Sequence, residues 1–122
     1  MNTPQFHFES LTVYQRALQF AKKIYLVTQK WPIEHRYGIT DQLRRASISI
    51  VLNIAEGSSR TRKDFQHFLI VSRGSSYECI PLLKMAVELK LLSENDEQLF
   101  YNDVQEMARM LSGLRSSLKL KS

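Results

Sequence analysis

The chain has 122 residues with a net charge of +5, which is the size of one domain, and its single cysteine excludes an intrachain disulfide. Four glycines and three prolines leave too few turns for an all-β fold. No run of 18 apolar residues and no signal-peptide pattern occur, so we expect a cytoplasmic protein that makes no membrane contact.

The positive charge is concentrated in the first part of the chain. Residues 1–73 hold 11 Lys/Arg against 5 Asp/Glu, whereas residues 74–122 hold 6 against 7. A basic half of this kind favours a polyanionic partner such as RNA or DNA. The alternative is that the basic surface only aids solubility.

The first helix is predicted to follow an N-terminal arm of residues 1–9. It begins near Ser10 or Thr12, where Thr12 and Gln15 have the spacing of a capping box, and it ends before Pro32. Two apolar seams run along it: Leu11, Tyr14, Leu18, Ala21, Tyr25 and Thr28, and beside them Val13, Ala17, Phe20, Ile24, Val27 and Trp31. Two adjacent seams predict an apolar face that is covered from two directions, as in a helical bundle.

Residues 41–57 predict the second helix. Apolar residues recur there at spacings of three and four and form one stripe along a helix: Ile39, Leu43, Ala46, Ile50 and Ile54. A period of two, as in a half-buried strand, also runs through Ala46, Ile48, Ile50, Leu52 and Ile54, but the helical stripe is unbroken and no Gly or Pro lies between Gly38 and Gly57. Gly57 is predicted to be a left-handed residue that ends the helix. Because residues 46–55 are almost wholly apolar, we expect contacts on more than one side of this helix.

The third helix is predicted to begin after Thr61, which with Asp64 has capping-box spacing. Its seam contains Phe65, Leu69, Ser72, Ser76, Cys79, Leu83 and Ala86, and its small middle, Ser72 with Gly74, Ser75 and Ser76, would admit another backbone closely. Pro81 removes one helical hydrogen bond. The helix therefore either kinks or divides there, and the constant phase of the seam favours a kink.

The fourth helix is predicted to begin after Ser93, with Asp96 at the capping-box position. Its seam contains Phe100, Val104, Met107, Leu111, Leu114 and Leu118, and Lys119 and Lys121 follow at its C-terminal end. Four helices with short connections predict an all-α, up-down-up-down antiparallel four-helix bundle. The bundle domain spans residues 10–118, and residues 119–122 form a C-terminal tail.

These residues resemble the bacterial four helix bundle protein family, also called 23S ribosomal RNA intervening-sequence proteins. The likeness covers residues 8–118 and is carried by Leu11–Ala17, Tyr37–Ala46 and Ser49–Gly57, continued by Arg60, Phe65, Phe68, Leu69, Gly74, Ser75 and Glu78. The resemblance implies a ring-like homo-oligomer, typically a pentamer, with no enzymatic activity and a poorly defined cellular role. The accessory protein of diversity-generating retroelements is similar in fold, and is thought to bind nucleic acid and a reverse transcriptase.

Residues that could carry catalysis or bind metal are interpreted as structural. His7, His35 and His67 have no partner at ligand spacing, so neither a metal nor another cofactor is expected. Glu56 at a helix end and Glu78 on helix 3 could be paired carboxylates, but we interpret Glu78 as a partly buried group held by Arg44 or Arg73. We predict that Asn53 is a hydrogen-bonded core amide and that Cys79 is a core residue rather than a nucleophile.

The remaining candidate site is basic. Arg44 and Arg45 lie on helix 2, and Arg60, Arg62 and Lys63 lie at the turn that opens helix 3, where free N–H groups favour phosphate. Without interleaved aromatic residues, this pattern predicts phosphate contact rather than base readout. Arg44 and Arg45 could instead pair with acidic residues of helix 4 in a neighbouring subunit, and both arrangements stay open.

The sequence therefore predicts a non-enzymatic homo-oligomer that binds RNA or DNA through phosphates. The alternative is a scaffold that docks a protein partner such as a polymerase or reverse transcriptase. Oligomerisation is expected because the double seam of helix 1 and the apolar run 46–55 exceed what one small bundle can cover.

Overall fold

The computed structural model describes residues 6–120, and in this range every regular element is a helix. The four long helices are α1 (Thr12–Thr28), α2 (Asp41–Ser58), α3 (Arg62–Glu88) and α4 (Glu94–Leu120). Short 3-10 helices occupy His7–Ser10 and Ile33–His35, and a π-helical turn at Arg36–Thr40 leads into α2. The predicted all-α four-helix fold is confirmed.

Contacts between helices show the antiparallel order. Ser72 Oγ of α3 donates to the Ile50 carbonyl of α2 at 2.8 Å, and Ser75, three residues farther along α3, contacts the preceding residue of α2, Ser49, also at 2.8 Å. Ion pairs join Arg16 and Lys23 of α1 to α4 in the same antiparallel sense. One end of the bundle therefore holds the start of α1, the α2–α3 turn and the end of α4.

The core lies along the predicted seams. Its fully buried side chains include Phe20, Ile24, Leu43, Ile50, Ile54, Leu69, Cys79, Leu83, Met107 and Leu111, which represent all four helices. In α1 the second seam is buried from Val13 to Ile24, whereas Leu18 and Tyr25 of the first seam are exposed. In the single chain, the second seam of α1 is therefore covered better than the first.

The close approach of α2 and α3 depends on small residues. Ser72, Ser75 and Ser76 are buried, as the small middle of α3 predicted, but Gly74 faces open space. The prediction that Gly57 ends α2 in a left-handed conformation is wrong, because no glycine in the described range has a positive φ. Gly57 is instead a buried helical residue, and a Cβ there would lie 2.6 Å from the Cβ of Phe68 on α3.

Two of the three predicted helix starts carry the expected side-chain caps. Thr61 Oγ1 accepts from the Asp64 amide at 3.1 Å, and Ser93 Oγ accepts from the Asp96 amide at 3.0 Å. The capping box at Thr12 is wrong: Leu11 is the N-cap residue without a side-chain bond. The side chain of Gln15 donates to the Glu9 carbonyl instead, because the preceding 3-10 helix brings that carbonyl within 3.0 Å.

One helix boundary differs from the sequence pattern, and one of the two alternatives for α3 is excluded. Helix α1 ends at Thr28, because the next residues tighten into i→i−3 bonds from Lys30 to Val27 and from Trp31 to Thr28. Helix α3 runs from Arg62 to Glu88 and contains Pro81, so division of this helix at the proline is wrong.

The predicted arm and tail are partly helical. The arm, residues 1–9, contributes to the 3-10 helix, and α4 includes Lys119 in its last turn. Residues 1–5 and 121–122, with the predicted position of Lys121, lie outside the described residues. Between residues 6 and 120, none of the helices combines the length and apolarity that a membrane span needs.

Candidate nucleic-acid interface

The α2–α3 turn presents three of the five predicted basic residues together. Arg62 and Lys63 are exposed, and neither makes an ion pair within residues 6–120. The Nε atom of Arg60 donates to Glu56 Oε2 at 3.0 Å, with half of each side chain exposed. Because an exposed pair of this kind contributes only about 0–1 kcal/mol, a phosphate could replace Glu56 at little cost.

The first turn of α3 adds backbone donors to these side chains. The opening N–H groups of a helix have no intrahelical partner, and the helix dipole places partial positive charge there. Thr61 caps only the Asp64 amide. The amides of Arg62 and Lys63 therefore lie beside their own cationic side chains, an arrangement that favours an anion. The carboxylate of Asp64 opposes this preference in part.

We name the end of the bundle that contains this turn the basic end, comprising residues 6–14, 55–66 and 112–120. It carries five Lys/Arg against three Asp/Glu. The opposite end, residues 28–46 and 84–98, carries six of each, because the acidic start of α4 lies there. The fold therefore gives one end of the bundle a net positive charge and the other end none, and the α2–α3 turn lies at the positive end.

Arg44 and Arg45 are not part of the basic end. The 16 residues between Arg44 and Arg60 correspond to about 24 Å along a helix axis. Nε of Arg44 donates to Thr28 Oγ1 at 2.8 Å, and its guanidinium lies 4.1 Å above the Tyr25 ring. Arg44 thus joins α1 to α2 within one chain.

Arg45 is exposed but is already paired with a carboxylate. Its Nε donates to Asp41 Oδ2 at 2.8 Å, which raises the pKa of Arg45. The two residues line an open cleft of about 710 Å³ between α2 and α3, together with Glu78. Two carboxylates beside one arginine do not favour phosphate. The proposed pairing of Arg44 and Arg45 with a neighbouring subunit stays a prediction.

The two carboxylates considered for acid–base work are far apart. Glu56 precedes Gly57, which contacts Phe68, and Glu78 follows Phe68 by ten residues, or about 15 Å of helix. Glu78 is exposed, so its predicted partial burial is wrong. Arg73, one of its proposed partners, donates instead to the Tyr77 hydroxyl at 2.9 Å.

Cys79 lies in the core as predicted, whereas Asn53 is hydrogen-bonded as predicted but only half-buried. The amide of Asn53 donates to the Ser49 carbonyl at 2.8 Å and to Ser49 Oγ at 3.0 Å. Cys79 is buried, and desolvation, with a smaller contribution from Glu78, raises the pKa of its thiol to about 12. In the described part of the chain, no three His, Cys, Asp or Glu residues cluster as metal ligands.

A groove between α3 and α4 was not anticipated from the sequence. It has a volume of about 590 Å³ and is lined by Arg73, Tyr77, Ile80 and Pro81 of α3 and by Tyr101, Val104, Gln105, Ala108, Arg109 and Ser112 of α4. The i, i+4 series Arg73–Tyr77–Pro81 and Tyr101–Gln105–Arg109 was its signal in the sequence. Each series alone resembles an ordinary solvent-facing stripe, and only the pairing of the two helices makes a groove.

Comparisons with known proteins agree with this fold. The family profile described as 23S rRNA-intervening sequence protein matches residues 9–113. The chain is also similar to a protein of unknown function from the S23 ribosomal protein family of Bacteroides thetaiotaomicron, whose crystal structure superposes with a TM-score of 0.78. The two share 22% identity over 85% of this chain and 95% of the other. No curated protein is significantly similar to the chain.

Proposed function

The chain belongs to the 23S rRNA-intervening sequence protein family, and from this premise we propose that it is a non-enzymatic, homo-oligomeric bundle that binds RNA or DNA through phosphates. The observation that carries the proposal is the α2–α3 turn, where Arg62 and Lys63 make no ion pair with any residue from 6 to 120 and lie at the start of a long helix. Arg60 adds a third cation that a phosphate can recruit from an exposed ion pair.

Phosphate contact of this kind has a measurable signature. Each neutralised phosphate of duplex DNA releases condensed counterions, so the logarithm of the binding constant falls with the logarithm of salt by about 0.9 per contact. The double variant Arg62→Gln with Lys63→Gln removes two contacts per engaged subunit. We expect the slope measured on a 20-base-pair duplex to become shallower by at least about 1.8.

Arg45→Gln is the matched control for this experiment. Its arginine is exposed like Arg62, but it is engaged by Asp41 at the opposite end of the bundle. We expect the control to bind with the wild-type slope. Absence of duplex binding at low salt, or an equal slope in the double variant and the wild type, would overturn phosphate binding at this turn.

The homo-oligomeric part of the proposal rests on exposed apolar side chains along α1 and α2. Arg44 of α2 contacts Tyr25 of α1. Since the helices are antiparallel, Ile48 and Leu52 lie about 6 and 12 Å farther toward the start of α1, which brings Leu52 level with Leu18. Leu52 is 60% exposed, and Leu18, Tyr25 and Ile48 are also exposed.

We call these four residues, Leu18, Tyr25, Ile48 and Leu52, the α1–α2 face. A contiguous apolar surface on a small domain is typical of a protein interface, and a second copy of the chain is the partner that the family resemblance implies. Light scattering should give a mass that is a multiple of 14.2 kDa, and Ile48→Gln with Leu52→Gln should lower it without loss of helical signal. Leu99→Gln, at a similarly exposed leucine of α4, is the control.

A wild-type mass of one chain at micromolar concentration would contradict homo-oligomerisation. The second candidate function, a scaffold that docks a polymerase or reverse transcriptase, is favoured by the same exposed face. It predicts capture of such a partner that survives nuclease treatment and is lost in the Ile48→Gln, Leu52→Gln variant. Capture that disappears with nuclease would favour the nucleic acid instead.

A further inference from the structure

We propose that the groove between α3 and α4 binds a single-stranded segment of nucleic acid, with bases on Tyr77 and Tyr101 and phosphates at Arg73 and Arg109. The groove uses none of the residues of the α2–α3 turn. The inference rests on the proposed function only in the class of partner. It adds which form of nucleic acid is bound and through which side chains.

The groove has the size and charge that such a ligand needs. Its volume of about 590 Å³ falls within the range of ligand clefts, about 300–1,000 Å³. Among the described residues that line it, both charged ones are arginines and none is a carboxylate. Arg109 is exposed and makes no ion pair with any residue between 6 and 120. The two arginines are therefore available to bind an anionic ligand.

Arg73 and Tyr77 together form a platform for a base. The guanidinium of Arg73 lies 4.7 Å from the centroid of the Tyr77 ring, and its Nη2 donates to the Tyr77 hydroxyl at 2.9 Å. Tyr77 as a whole is still 52% exposed, so it stays accessible to a ligand. Proteins that bind single-stranded nucleic acid commonly combine aromatic rings and arginines with a basic surface that follows the nucleic-acid backbone.

Polar groups in the groove can meet the edge of a stacked base. Pro81 has no N–H to offer a ligand, and it adds apolar surface to the lining of the groove. Gln105 and Ser112 line the same space and can both donate and accept. The amino groups and ring nitrogens of a base are suitable hydrogen-bond partners for these two side chains.

These features favour a single strand over a duplex. Stacking on tyrosine needs an open base face, and in a duplex the base faces are hidden between neighbouring pairs. The two helices hold the groove open over residues 73–81, about 12 Å along the axis of α3. This length suits a short segment of one strand, whereas the α2–α3 turn suits phosphates of either form.

The test measures binding of a fluorescein-labelled ten-nucleotide RNA without self-complementarity, as a single strand and as a duplex with its complement. We expect Tyr77→Ala and Tyr101→Ala each to weaken single-strand binding by about 5- to 150-fold, the range for loss of one stacked base. Duplex binding should change by less than about twofold in the same variants. Tyr37→Ala removes a tyrosine that is 88% exposed outside the groove, and it should change neither.

A second measurement places the strand directly. Ultraviolet crosslinking of the same RNA carrying 5-iodouridine should label peptides that contain Tyr77 or Tyr101. Equal single-strand affinity in Tyr77→Ala, Tyr101→Ala and wild type, or crosslinks that miss both peptides, would overturn the groove while leaving phosphate binding at the α2–α3 turn intact. A fall in oligomer mass in the tyrosine variants would also overturn it, because the groove would then be a contact between copies.

Failure of the proposed function has a different outcome. The Arg62→Gln, Lys63→Gln variant would then bind duplex with the wild-type salt dependence, while the tyrosine variants would still lose the single strand. The two sites are therefore tested independently by variants that share no residue.

Discussion

Gly57→Ala tests whether α2 and α3 touch as closely as the structure shows. The added Cβ would lie 2.6 Å from the Cβ of Phe68 and 2.9 Å from Cδ1 of Phe65. The Phe65 ring can rotate, but a Cβ is fixed to its backbone, so the two helices must separate by about 1 Å to reach ordinary van der Waals contact. We therefore expect a stability loss at a position where helix propensity alone predicts a gain.

The size of the effect follows from two opposing terms. Alanine is favoured over glycine inside a helix by about 1 kcal/mol. Overpacking a well-packed core costs about 1–3 kcal/mol, and the immobile Phe68 Cβ places this site at the upper end. The net expectation is a loss of about 2 kcal/mol in the free energy of unfolding, or about 8 °C in Tm for a domain of this size.

Gly74→Ala is the matched control, because this glycine is also helical but a Cβ there has nothing within 4 Å. It should gain about 0.5–1 kcal/mol. Both variants are measured by urea unfolding followed by circular dichroism at one protein concentration, since assembly makes stability concentration-dependent. Gly57→Ala equal to or more stable than the wild type would refute the close contact of α2 with α3.

Two further predictions concern single side chains. Thr61→Ala removes the cap on the Asp64 amide and should cost about 1 kcal/mol in urea unfolding, whereas Thr61→Ser should retain most of the stability. The Cys79 thiol has a pKa of about 12 in the folded chain and an ordinary value of 9.0, so the folded state keeps a proton that the unfolded state releases between these values. The free energy of unfolding should therefore fall as the pH rises above about 9, and it should fall less in Cys79→Ala than in the wild type. A thiol reagent should label Cys79 only when the chain unfolds. Rapid labelling of the folded wild type would contradict the burial of Cys79.

The candidate site was predictable only in part. Arg60, Arg62 and Lys63 are consecutive or nearly so, and the Thr61 cap fixes them at the start of α3, so their grouping follows from local sequence. The fate of Arg44 does not, because its partners Thr28 and Tyr25 belong to another helix. Glu78 was assigned to a buried seam, but its helical phase turns it to solvent beside the buried Cys79.

By itself, the sequence determined the four helices, the seams that became the core, and the caps at Thr61 and Ser93. These features depend on periodicity and on hydrogen bonds between residues three or four apart, which any local stretch reveals. Only the tertiary structure decided that Gly57 is a contact point, that Leu18 and Tyr25 of α1 stay exposed, and that two polar stripes enclose a groove. Each of these depends on the distance between helices far apart in the chain, which the packing of their side chains sets and no local pattern contains.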